Sequence, residues 1–122
     1  MTPEKIRQAA LAMPEAEEQD HWGKSSFRVR GKIFAVFQED GVSLLLKASP
    51  ETRTAFTTMD PDVYTVPSKY TTLNYMIARM DKADDEELRQ LLIQAWREVS
   101  PKRLVKVYDE AIGGKLGSLE RR

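Results

Sequence analysis

Residues 26–47 read SFRVRGKIFAVFQEDGVSLLLK, and this stretch decides the fold. It holds three apolar runs, Ser26–Arg30, Ile33–Gln38 and Val42–Lys47, separated by Gly31-Lys32 and by Glu39-Asp40-Gly41. Connections of two or three residues rich in Gly and Asp are hairpin connections, so the stretch predicts an antiparallel meander of three strands. Side chains alternate along a strand, which puts Phe27 and Val29 on one face and Arg28 and Arg30 on the other. The middle run, IFAVF at 33–37, is apolar on both faces, as expected where both faces are at least partly covered.

Upstream, residues 15–25 are polar, without periodicity, and contain the chain's single histidine, His21. Before them, Ile6, Ala9, Ala10 and Met13 recur at helical spacing, with Thr2 as cap, Pro3 at the first helical position and Pro14 ending the pattern. Downstream, Ser49-Pro50 opens a second helix that runs to about Met59 with a weak apolar stripe. Residues 60–72, DPDVYTVPSKYTT, hold two prolines and read as a loop or short edge strand. Leu73–Met80 is rich in β formers and reads as a strand.

The strongest helix signal follows. Asp84 caps and Glu87 stands three residues on, after which Leu88, Leu91, Leu92, Ala95, Trp96 and Val99 line one face. Ser100-Pro101 begins a last helix carrying Leu104, Val105, Tyr108 and Ile112, expected to end at Gly113-Gly114. The reading is one α+β domain over 1–113 with a flexible C-terminal tail over 114–122, and an antiparallel sheet covered by helices on one face. Its core is expected to hold Phe27, Val29, Ile33, Leu44, Leu46, Leu88, Leu92, Ala95 and Trp96.

A chain of 122 residues can bury roughly two thirds of its unfolded surface, enough for one core. With 41% hydrophobic and 31% charged residues, it has the composition of a globular domain rather than a disordered one. It has no cysteine, which excludes disulfides, thiolate nucleophiles and Cys-based metal sites and suits a reducing cytoplasm. The N-terminal MTPEKIRQAA lacks the apolar run of a signal peptide, and no stretch has the length or hydropathy of a membrane span.

Little in the sequence points to catalysis. One histidine cannot build a His-based metal site, no G-x-S-x-G elbow or Gly-rich phosphate loop is present, and the acidic run 81–87, DKADDEE, suits a helix N-terminus. No cofactor, metal or enzymatic activity is therefore expected. The 19 basic and 19 acidic residues cancel, but not locally: residues 21–38 contain no acid and carry Lys24, Arg28, Arg30 and Lys32. Arg28 and Arg30, two residues apart on one strand face, would stand about 6.6 Å apart, near the spacing of adjacent phosphates. Lys24 and Lys32 would flank them, and Lys47, Lys69 and Arg79 from neighbouring elements would extend the surface. Such a face could track a nucleic-acid backbone, with weak binding that does not depend on sequence. Two alternatives remain: a protein-interaction module using an apolar sheet or groove surface, and a small-molecule pocket between sheet and C-terminal helices lined by Trp22, Tyr70 and Tyr75.

Two motifs carry a family resemblance. Glu17 with Trp22-Gly23-x-x-Ser26-Phe27-Arg28-Val29-x-Gly31-Lys32-Ile33-Phe34-Ala35, and Ala95-Trp96-x-x-Val99-x-Pro101-Lys102-Arg103-Leu104, resemble the MmcQ/YjbR family over residues 1 to about 112. The resemblance implies an α-β(3)-α-β(2)-α fold similar to that of secretion chaperones, also described as a double wing, and a DNA-binding, non-enzymatic role. Where members often have a Gly-Trp pair before the last strand, this chain has Asn74-Tyr75, which keeps an aromatic and loses a turn glycine.

Overall fold

The structure, a computed structural model, describes residues 1–120, with side chains as far as Ile112. Thr2 caps the first helix, α1 (Pro3–Leu11), by accepting the Lys5 N–H at 3.2 Å. Four strands follow: β1 (Ala16–His21), β2 (Lys24–Val29), β3 (Lys32–Phe37) and β4 (Ser43–Lys47). Next come α2 (Pro50–Met59), the two-residue edge strand β5 (Tyr64–Thr65), a single 3-10 turn at Ser68–Tyr70, and β6 (Tyr75–Arg79). The chain ends in α3 (Asp85–Val99) and α4 (Lys102–Glu120). All strand pairs are antiparallel, and the sheet order is β1-β2-β3-β4-β6-β5.

The fold is α+β, as the sequence predicts; the α-β(3)-α-β(2)-α order that the resemblance implies gains a strand, β1, and its C-terminal part is the two helices, α3 and α4, that the residue periodicities predict. The polar segment 15–25, expected to be irregular, supplies the edge strand β1. Its sequence, AEEQDH, shows no apolar alternation because an edge strand needs none: Glu18 is held by Arg7 of α1, and its neighbours face solvent. The turn after β1 is Trp22-Gly23 and the turn after β2 is Arg30-Gly31, all four residues at positive φ (56°, 82°, 49° and 82°). Two-residue hairpin loops favour that geometry. The second turn therefore lies one residue earlier than Gly31-Lys32, and Arg30 leaves the strand.

A second correction comes at the C-terminus. Helix α4 runs through Gly113-Gly114, where the sequence predicts its end, to Glu120. A glycine inside a helix costs about 1 kcal/mol relative to alanine and so weakens a helix without forbidding it. The expected flexibility over 114–122 concerns side chains, and at 121–122 whole residues, that lie outside those described.

One face of the sheet packs on α1 and α3. Phe27, Val29, Phe34, Leu44, Leu46, Met76 and Ala78 meet Ile6, Ala10, Leu88, Leu92, Ala95 and Trp96, all fully buried. A register shift between Phe27 and Arg28 lets the sequence neighbours Phe34 and Ala35 both enter this core. The same shift turns Ile33, expected in the core, to the opposite face beside Arg28.

Candidate nucleic-acid interface

Among the described residues, no α-helix covers the second face of the sheet. Across its centre run Ser26, Val36, Leu45 and Ile77, paired in register from β2 to β6. To one side lie Arg28 on β2 and the pair Lys47–Tyr75; to the other, the pair His21–Lys24. Two segments rise above this floor. The Trp22-Gly23 turn extends the β1–β2 hairpin, and the segment 66–74, with its 3-10 turn, stands over β6. Between them lies a cleft of about 310 Å³ whose floor is Ile33, Val36 and Leu45. Its walls are His21, Trp22 and Lys24 on one side and Lys69, Tyr70 and Tyr75 on the other.

The aromatic walls are built differently. Trp22 is 88% exposed and touches its neighbour His21 edge-on, with ring centroids 6.4 Å apart. Tyr70 and Tyr75 sit 6.0 Å apart and are each covered by a cation, Lys69 Nζ lying 5.1 Å from the Tyr70 ring and Lys47 Nζ 4.6 Å from the Tyr75 ring. Burial, helped by Tyr70, pushes the Tyr75 hydroxyl above its ordinary pKa, so it stays a neutral phenol. Arg53 of α2 holds this wall in place. Its Nη1 donates to the carbonyls of Tyr70 (2.9 Å) and Leu73 (2.8 Å), and its Nη2 to that of Thr71 (3.3 Å).

Arg28 lies along β2 rather than projecting from it. Its Nε donates to Ser26 Oγ at 3.0 Å, and that buried hydroxyl donates on to the Gln19 carbonyl at 2.8 Å. Its Nη2 lies 3.3 Å from His21 Nδ1. A guanidinium can only donate, so this contact is a hydrogen bond when His21 Nδ1 carries no proton. Among the described residues, Arg28, Lys47 and Lys69 have no carboxylate partner, while Lys24 reaches the exposed Glu39 at 3.7 Å.

Of the seven cations that the sequence singles out, Lys24, Arg28, Lys47 and Lys69 therefore gather round one cleft. The other three do not. Arg30 sits in the β2–β3 turn and is held bidentately by Glu15 at 3.0 and 3.2 Å, so it shares no strand face with Arg28. Lys32 pairs in register with the core residue Val29. Arg79, at the far end of β6, is neutralised by Asp81 through bonds of 2.9 and 2.8 Å. The predicted trio Trp22, Tyr70 and Tyr75 does line one cavity, but on the sheet face away from the C-terminal helices. Sequence reasoning missed His21 as a partner of Arg28 and Arg53 as the brace of the aromatic wall. Neither leaves a local signal, because both act across elements. Among the described residues no cluster of three His, Cys, Asp or Glu is placed to hold a metal, and no helix is long and apolar enough to cross a membrane.

The family model YjbR matches residues 11–98. The chain belongs to the YjbR family. The match runs from the end of α1 to the end of α3, and so takes in every residue lining the cleft. Among solved structures, this YjbR-family chain is similar to the crystal structure of Deinococcus radiodurans protein DR2400, a DUF419 domain. The TM-score is 0.73 over 92% of this chain and 88% of that one, with 19% identity, a likeness of fold. Among curated proteins none matches.

Proposed function

We propose that this YjbR-family protein is a non-enzymatic DNA-binding protein that contacts phosphates through Lys24, Arg28, Lys47 and Lys69. The observation that supports the reading is the convergence of these four cations round one cleft, three from the sheet face and Lys69 from the segment over β6, with three of the four lacking a carboxylate partner among the described residues. In a chain whose 19 basic and 19 acidic residues cancel, a one-sided cluster gives the molecule an oriented field rather than a net attraction. Lysine and arginine contacts to phosphate position a protein on nucleic acid without reading sequence, so the binding is weak and sequence-tolerant.

The test is binding of a labelled DNA oligonucleotide at low salt, followed by fluorescence anisotropy. Lys47→Ala combined with Lys69→Ala should weaken binding by roughly tenfold or more, while Arg30→Ala combined with Arg79→Ala should leave it nearly unchanged. Equal loss in both double variants, or no binding by the unaltered protein, would refute the reading. A protein-interaction role ranks second. It draws on the exposed apolar side chains Leu11 of α1 and Val107 and Ile112 of α4, which lie away from the cleft.

A further inference from the structure

We infer that the cleft between Trp22 and the Tyr70–Tyr75 wall receives an unstacked base, so that the protein prefers single-stranded DNA to duplex. The inference rests on the DNA-binding reading above and names the form of DNA that reading leaves open.

Trp22 is the starting point. It occupies the first position of a two-residue turn at φ 56°, a left-handed conformation that a bulky side chain adopts only under strain. Such turns favour Asn or Asp followed by Gly. Strain of this kind is ordinarily offset by packing, yet Trp22 is 88% exposed and, among the aromatic rings of the described residues, meets only His21, edge-on. The fold gains nothing evident from a tryptophan at this position. Strained, exposed positions of this sort point toward a binding role.

The opposite wall complements it. Tyr70 and Tyr75 present a second aromatic surface across an apolar floor of Ile33, Val36 and Leu45, and Arg53 fixes the backbone that carries Tyr70. A cavity of about 310 Å³ has room for a planar heteroaromatic ring but none for a double helix. Within a duplex the faces of the bases are covered by their neighbours, so only an unpaired strand can offer one to an aromatic platform. The rim supplies the rest of the match. Lys24 stands on the Trp22 side, Lys47 and Lys69 on the tyrosine side, and the Arg28 guanidinium reaches back along β2 to His21 at 3.3 Å, so a strand whose base enters the cleft has cations on both flanks for its phosphates. Stacking platforms combined with cationic grooves bind single strands with little sequence preference.

The experiment compares a thymidine oligonucleotide of about 12 nucleotides with a duplex of the same length at equal salt, using the full chain and its Trp22→Ala and Trp22→Phe variants. Because Trp22 is exposed, neither substitution should alter the fold, which thermal unfolding checks. The expected result is a preference for the single strand of roughly tenfold or more, quenching of the exposed tryptophan's fluorescence on binding, loss of most of the preference in Trp22→Ala, and partial retention in Trp22→Phe. Duplex bound as tightly as single strand, or a preference that survives Trp22→Ala, overturns this inference and leaves the DNA-binding reading standing. No binding of either DNA overturns both.

Discussion

The indole N–H of Trp96 donates to the carbonyl oxygen of Pro14 at 2.9 Å, joining residues 82 positions apart. Pro14 ends the first helical pattern, and Trp96 lies in the last turns of α3, fully buried and with its ring 5.1 Å from that of Tyr108. One side chain thus fixes where the chain leaves α1 and enters β1, while filling the space between α3 and α4. Trp96→Ala should cost about 3–5 kcal/mol, the usual range for emptying a large buried site. Trp96→Phe keeps much of the volume but orphans the Pro14 carbonyl, and should cost clearly less than Trp96→Ala, with about 1–3 kcal/mol from the unmet acceptor. Urea unfolding monitored by circular dichroism separates the two. A loss near zero in Trp96→Phe would mean that the hydrogen bond contributes nothing, and equal losses in the two variants would mean that the ring volume contributes nothing.

Arg53 gives a second prediction. It donates three hydrogen bonds to backbone carbonyls of residues 70–73 and makes none to a carboxylate among the described residues, so its work is to brace a loop. Arg53→Ala should weaken DNA binding several-fold through disorder of the Lys69-Tyr70 wall and lower stability by about 1–2 kcal/mol. Arg53→Lys, with a single ammonium in place of a planar fork, should recover only part of the binding. Hydrogen exchange of the amides in residues 68–74 is the direct readout: it should speed up in Arg53→Ala, and unchanged exchange would count against the bracing role.

Acid should destabilise the protein. Hydrogen bonds from Arg7 hold the Glu18 carboxyl below its ordinary value of 4.5, and Arg30 does the same for Glu15. Arg79 lowers Asp81, the N-terminal ammonium lowers Asp85, and the Ser43 hydroxyl with the Val42 amide lowers Asp40, all from 3.8. Each of these groups binds a proton less readily folded than unfolded, so the unfolded state takes up more protons as pH falls. Their contribution is fully present above about pH 5 and is lost as pH drops through the ordinary carboxylate range and below it. The pairs are exposed or, for Arg7–Glu18, half-buried, and each adds little alone. The urea midpoint should hold between about pH 7 and pH 5.5 and fall below about pH 4.5. A midpoint that rises on acidification would contradict the sign.

These residues also show what the sequence can and cannot reveal. Helix α3 was legible because six apolar residues repeat at its period and Asp84 caps it, accepting from the Glu87 N–H at 3.0 Å. Strands β2 to β4 were legible because turn residues punctuate apolar runs. Strand β1 was not, since an edge strand braced by Arg7 needs no apolar face. A one-residue ambiguity in a two-residue turn moved Arg30 off the strand and into its pair with Glu15, and a bulge moved Ile33 from core to cleft. Lys24, Arg28, Lys47 and Lys69 were legible as cations but not as a site. What joins them is the pairing of β4 with β6 and the fold of residues 66–74 over the sheet, long-range events that no local pattern records.

The measurement closest to the central claim is the salt dependence of DNA binding. Each phosphate neutralised on a single strand contributes about −0.7 to the slope of log K against log salt. Contacts by Lys24, Arg28, Lys47 and Lys69 together predict a slope near roughly −3, and Lys47→Ala with Lys69→Ala should flatten it by about 1.4 without a change in thermal stability. A slope indifferent to that double substitution, or binding that does not respond to salt at all, would contradict the assignment of this sheet face to DNA.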